Sequence, residues 1–274
     1  MSGRNRVVDW MRFGANVLIV VYHAYLGTRI GECAWAVGMA TLCLISGWCC
    51  FRDFDREAEL GAWWSGKIAR RVKRLLIPYL VWGAAFVGLY WVMARTNGEA
   101  ARRLGEAGVD GVAGAIKAVF NFTGYVLYGP LWFLRMLFVC AILAGVWGAA
   151  FKRLKGARAL GAAILIGAGA SFGARALGVE GYGTWAIVLY GAGAWCGAER
   201  VGVGVGEMSG RDPAPLSYAV TRWVLPTGMF VYILHLAVLR VAGNVVLGVV
   251  VPMVAWHVLN RVWPKGLRFL EGRW

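Results

Sequence analysis

The sequence predicts an all-α, multi-pass transmembrane helix bundle of about eight spans, a single domain over residues 1–274 with both termini cytoplasmic. Three observations predict it. The chain is 59% hydrophobic and only 16% charged, where a soluble domain carries roughly 25% charge. The shortage of charge runs along the whole length and is not confined to one anchor. Lys and Arg gather on alternate sides of the apolar stretches, the asymmetry that orients membrane helices.

A helix needs roughly 20 apolar residues to cross the hydrocarbon core. Stretches that approach this length lie at 11–28, 33–51, 75–94, 131–151, 159–177, 182–198, 222–240 and 244–260. The first has a basic start at Arg4 and Arg6, and Ala34-Trp35-Ala36 mimics a signal-cleavage site. Arg12 and His23 interrupt it and further spans follow, so it reads as a retained first span. Segment 118–128 is apolar but short, and reads as a re-entrant or interfacial piece leading into the fourth span.

With the N-terminus inside, twenty Lys and Arg fall in inside loops and five in outside loops. Four more, Arg12, Arg135, Arg175 and Arg240, fall within spans. This bias accounts for the net charge of +15 without a nucleic-acid partner, since the basic residues lie between apolar runs and not on one soluble face. Membrane lipid is the first expected partner, and the expected location is a bacterial inner membrane. Gly202 to Pro215 reads as a cytoplasmic loop. Gly169-x-x-x-Gly173 and Gly193-x-x-x-Gly197 suit close helix contacts. The six Cys lie in or beside apolar runs and read as small buried hydrophobes. No metal-ligand spacing is present. Gly61 to Lys67 nearly matches a P-loop, but Ile68 stands where the metal-binding hydroxyl belongs.

Ionisable residues inside a span are costly and point to function. The first span holds the best set. Asp9 and Arg12 lie at its start, and His23 follows Arg12 by eleven residues. Eleven helical steps give about 1100°, three turns plus about 20°, and roughly 16 Å of rise. Arg12 and His23 therefore share one face: a cation near the cytoplasmic end and a titratable base towards the outer end. The plain alternative is that Arg12 snorkels to headgroups and His23 hydrogen-bonds a neighbouring helix.

Neighbouring motifs add to this pattern. Asp9-x-x-Arg12 followed by His23 resembles the start of the acyltransferase-3 family of membrane acyltransferases. Ile45-Ser46-Gly47-Trp48 resembles its Ser-Gly motif, and Arg70-Arg71-Val72-Lys73-Arg74 with Leu75 to Tyr79 is similar to its basic approach to the third span. Gly129-Pro130-Leu131-Trp132-Phe133-Leu134-Arg135 resembles its Trp-Phe-Leu motif, and Tyr232-Ile233-Leu234-His235 its Tyr-x-x-His.

The resemblance implies transfer of an acyl group, often acetyl, from a cytoplasmic donor such as acyl-CoA to a hydroxyl of a sugar, polysaccharide or lipid-linked glycan. No permanently bound cofactor is implied; acyl-CoA, acetyl-CoA in the first instance, is a substrate. It also implies that activity depends on His23 and Arg12. A histidine suits the general base that takes the hydroxyl proton, and a permanently charged guanidinium suits donor positioning. Asp9 either pairs with Arg12 or serves as a first-turn helix residue. Ser46, Trp132 and Arg135 are candidates for an acceptor or pocket role, and Arg70, Arg71, Lys73 and Arg74 for attracting the donor's phosphates, with an inner-leaflet anchor as their alternative. His235 reads as a supporting hydrogen-bonder. The family commonly has about ten spans; the shortfall here falls around 155–220. Cys43 and Leu44 replace its usual bulky aromatics, and no appended extracytoplasmic domain is expected. A transporter using the same Arg and His, a non-catalytic envelope subunit and a catalytically inactive family member are the rival readings.

Overall fold

The chain enters as α1 (Arg6–Ala24) and returns as α2 (Arg29–Phe51). Thr28 makes the turn possible: its hydroxyl caps α2 by accepting from the Gly31 N–H at 3.1 Å, one of the donors a helix start leaves unpaired. This computed structural model describes residues 6–120, 127–176, 184–201 and 223–271. The loop assigned to Gly202–Pro215, the basic residues Arg4, Arg211, Arg222 and Arg273, and most of the short segment 118–128 lie outside them.

The third helix differs from the sequence expectation. A span beginning at residue 75, after a basic loop, was the prediction. Instead α3 runs unbroken from Leu60 to Met93, with the cations inside it. A π-turn at Val72–Leu76 interrupts its regular pitch. Pro78 explains the interruption: it has no N–H for the Arg74 carbonyl and its ring crowds that carbonyl. The Ile77 N–H bonds to the Val72 carbonyl, five residues back, so one extra residue is absorbed. The near P-loop at Gly61–Lys67 is likewise helical.

Two short helices, α4 (Gly98–Glu106) and α5 (Val112–Phe120), follow. Asn97 caps α4, and Arg103 and Arg102 hold the Glu99 carboxyl below its ordinary range. Next come α6 (Leu131–Arg153), α7 (Gly156–Ala176) and α8 (Thr184–Ala198), then α9 (Gly228–Ala242), α10 (Val245–Val262) and α11 (Pro264–Leu270). Gly243 adopts φ 61° and Asn244 caps α10, which turns α9 sharply into α10. Helices dominate, and no strand occurs among the described residues.

Among the described residues six helices are long and apolar enough to cross a membrane, α2, α3, α6, α7, α9 and α10, with α9 counted from Leu225. The sequence stretches 11–28 and 182–198 correspond to α1, which carries Arg12 and His23, and to the shorter α8. Over half of α6 is buried, against 17% of α10. Val254, Val258 and Val262 on α10 and Leu165 and Phe172 on α7 are exposed, as lipid-facing residues must be. The molecule is an integral membrane helix bundle.

Glycine sets the closest helix contact. A Cβ on Gly193 would strike the Leu44 backbone, one on Gly197 the Trp48 carbonyl, and one on Gly47 the Tyr190 carbonyl. α2 and α8 therefore touch backbone to backbone. The second predicted pair behaves differently: Gly169 and Gly173 meet nothing, and Gly167 packs on Val188 instead. All six cysteines are free.

Candidate active site

One face of α1 packs along α9, and this seam carries the site. Asn16 donates to the Gly228 carbonyl at 3.0 Å. Further along, His23 lies against His235, ring centroids 5.1 Å apart. Arg12, Asn16 and His23 thus share the face that the helical arithmetic predicts, and that face meets protein. Asn16 was not singled out from the sequence. Its signal was its place four residues after Arg12, on the same stripe.

At the Arg12 end a cavity of about 710 Å³ opens. Its wall includes Asp9 and Arg12 from α1, Ser46 and Cys49 from α2, Arg70, Arg71 and Arg74 from α3, and Tyr232 from α9. The π-turn matters here because it sits between Arg71 and Ile77, where α3 turns its cations onto this wall. Among the described residues no carboxylate pairs with Arg12 or Arg70. Lys67 also borders the cavity, but its charge is paired with Asp53 and lies over the Trp63 ring at 5.3 Å. Arg71 faces the Cys50 thiol and Tyr190.

The remaining sequence candidates lie elsewhere. Lys73 is exposed and absent from the cavity wall. Arg135 is buried at 8% exposure near Tyr79, while Phe133, Leu134 and Leu137 of the same helix face the cavity. Trp132 is half-buried and packs edge-on to Phe133 at 5.9 Å. His257 lies against Trp223, the ring centroids 4.0 Å apart and the planes tilted by 36°.

Neither histidine belongs to the cavity wall. Tyr232 marks the boundary: its hydroxyl donates to the Pro130 carbonyl at 2.8 Å, and its ring lies 6.2 Å from that of His235. His235 is completely buried. Its Nδ1 lies 2.7 Å from the Tyr232 carbonyl and 3.1 Å from the Val231 carbonyl. Two acceptors at one nitrogen assign the proton to Nδ1, leaving a lone pair on Nε2. That Nε2 is buried without a partner among the described residues. Around His23, Tyr22 lies at 4.8 Å, Trp35 lies 5.9 Å from Tyr22, and Trp185 lies 5.0 Å from Trp35. These half-buried rings form an aromatic row.

A helical membrane protein with a guanidinium-lined cavity at one end of a seam and a histidine pair at the other defines the class. The acyltransferase-3 model, described as an acyltransferase domain, matches residues 5–205. The chain belongs to that family and is an acyltransferase-type membrane protein. Neither the curated proteins nor the solved structures give a match. The matched range takes in α1 to α8, with Arg12, His23 and the cations of α3; α9, with Tyr232 and His235, lies beyond it.

Proposed function

We propose that the protein moves an acyl group, acetyl in the first instance, from acyl-CoA to a hydroxyl of a carbohydrate or glycolipid at a bacterial inner membrane. One observation carries the reading: a single face of α1 presents Arg12 to a basic cavity and His23 to a buried histidine, both against α9.

The basic end faces the cytoplasm in this reading, with both termini there and about eight spans. Arg12, Arg70, Arg71 and Arg74 suit the diphosphate and ribose phosphate of CoA, since guanidinium pairs with phosphate through charge-assisted, often bidentate hydrogen bonds. In this reading the long pantetheine arm extends from the cavity towards His23, and the packed seam must open past Tyr232 to admit it, because the cavity stops short of the histidines. The aromatic row of Tyr22, Trp35 and Trp185 offers flat apolar faces to a sugar ring.

His23 acts as general base. The acceptor oxygen attacks the thioester carbon as its proton passes to His23. The tetrahedral intermediate collapses, the C–S bond breaks, and CoA leaves as a thiol after taking the proton from His23. An O-acyl ester remains on the acceptor.

The test is transfer of labelled acetyl from acetyl-CoA by purified protein across a panel of glycans, with His23→Ala alongside. Transfer that depends on His23 supports the reading. A wild type that transfers to no acceptor, or a variant that matches it, sinks the mechanism.

A further inference from the structure

Asn16 has no role in the reaction as written. Along α1 the cavity is bordered by Val8, Asp9, Arg12, Phe13 and Asn16, one stripe about 12 Å long. Asn16 ends it, about 6 Å beyond Arg12 along the axis and about 10.5 Å short of His23. Beyond Asn16 no described residue of α1 borders the cavity. On the neighbouring helices the wall residues nearest the histidine end are Leu42 of α2, Phe133 of α6 and Tyr232 of α9. Asn16 therefore stands where the cavity narrows into the packed seam.

The side chain is buried at 8% exposure, and its Nδ2 donates to the Gly228 carbonyl at 3.0 Å. A carbonyl only accepts, so the amide's NH2 faces Gly228 and its Oδ1 points away. Among the described residues nothing donates to that oxygen, yet it is not one of the side-chain atoms sealed in protein without a partner. It keeps access to the cavity that both Asn16 and Gly228 border. Leu42 and Phe133 carry no side-chain donor, and the Tyr232 hydroxyl is given to the Pro130 carbonyl. A carboxamide within a span is costly unless both its halves are matched. Here the donor half is matched inside the protein and the acceptor half is turned to the cavity.

That acceptor calls for an N–H on the ligand, one helical turn from the guanidinium of Arg12. The arm of an acyl-CoA supplies one. Its first amide follows the diphosphate after a short aliphatic link, a reach that matches the turn from Arg12 to Asn16. The two methyl groups of that link suit the apolar carbons of Leu42 and Phe133.

We propose that Asn16 Oδ1 accepts a hydrogen bond from the first amide N–H of a pantetheine arm, so that the cavity selects an acyl donor carried on a phosphorylated, amide-bearing arm. The inference rests on the transferase reading above and adds a donor-selecting residue to it. Acyl carrier proteins bear the same arm without the nucleotide, so the test separates the two sources.

Binding is measured by calorimetry on full-length protein in non-ionic detergent. The probes are CoA, a CoA analogue with an ester in place of the first amide, 4′-phosphopantetheine, and 3′-phosphoadenosine 5′-diphosphate, the nucleotide without the arm. Wild type should bind CoA about fivefold more tightly than the ester analogue, the value of one hydrogen bond. Asn16→Leu should lose that discrimination while its affinity for the nucleotide is unchanged, and Asn16→Gln should restore part of it. Equal binding of CoA and the ester analogue by wild type overturns the proposal, whatever the variants do. An equal loss of CoA and nucleotide binding in Asn16→Leu assigns Asn16 to helix packing and also overturns it. Asn16-dependent binding of 4′-phosphopantetheine as tight as that of CoA supports it with a carrier-borne arm.

The transferase reading is judged separately. Acetyl transfer without discrimination against the ester analogue keeps that reading and removes this inference. Asn16-dependent discrimination without transfer does the reverse. A wild type that binds neither CoA nor 4′-phosphopantetheine overturns both.

Discussion

At one end of the α1–α9 seam, Arg12, Arg70, Arg71 and Arg74 border an open cavity. At the other, His23 rests on a histidine that is completely buried. The two ends differ in what they need from their surroundings. Permanent charges keep access to water or to a polyanion, because burying them unpaired is prohibitive. A base must be neutral to take a proton, so it tolerates burial and gains from a dry, ordered setting. A thioester donor bears its charge far from its reactive carbon, and this polarity matches that division.

Variants at each end break the comparison in different ways. His23→Ala should have the largest effect: a loss of about 10²- to 10⁴-fold in kcat, the usual contribution of a positioned general base. Acetyl-CoA binding, followed by calorimetry, should barely change. Equal losses in binding and turnover would mean that the two ends do not divide the work.

Next in size, Arg70→Ala and Arg12→Ala should each raise the KM for acetyl-CoA about tenfold with a smaller change in kcat, the loss of one charge-assisted contact. Raising salt should shift the wild type in the same direction, because surface-accessible charge is screened. A kcat effect without a KM effect in Arg12→Ala would place that residue at the chemistry and not at the donor.

Tyr232→Phe removes the bond to the Pro130 carbonyl that sits between the ends. The expected cost is about 1 kcal/mol of stability, read as a lower unfolding temperature in detergent, with KM unchanged. The smallest effect is expected of Lys73→Ala, which is exposed and off the cavity wall. Its KM for acetyl-CoA should stay within about twofold of wild type, since exposed charges contribute little. A change matching that of Arg70→Ala would extend the donor site beyond the cavity.

The stripe of Arg12 and His23 was legible because an α-helix fixes its own angular spacing, and α1 needed no partner to define a face. The basic cluster was legible as composition but not as structure. Residues 67–74 looked like a juxtamembrane loop, whereas α3 carries them inside a continuous helix whose π-turn answers Pro78. Pro78 was the local clue, though a proline alone does not distinguish a helix break from an absorbed residue. His235 was visible only as a histidine in a span. That its Nε2 finds no partner among the described residues depends on two carbonyls of its own helix and on what α1 and its other neighbours place around it, and no spacing rule reports that. Gly193 and Gly169 make the same point, since identical small-residue spacing gave a tight contact in one case and an open face in the other.

The sequence by itself determined that the chain is an all-α membrane protein and that a guanidinium and an imidazole share one helical face. Hydrophobic content, charge asymmetry and the 3.6-residue turn are local properties, and they survive without knowledge of neighbours. The tertiary structure alone decided which helix that face meets, which of the α3 cations border the cavity, and that His235 stands beside His23. Those outcomes depend on contacts between segments more than 200 residues apart, as from Asn16 to Gly228, and long-range packing has no periodicity to read.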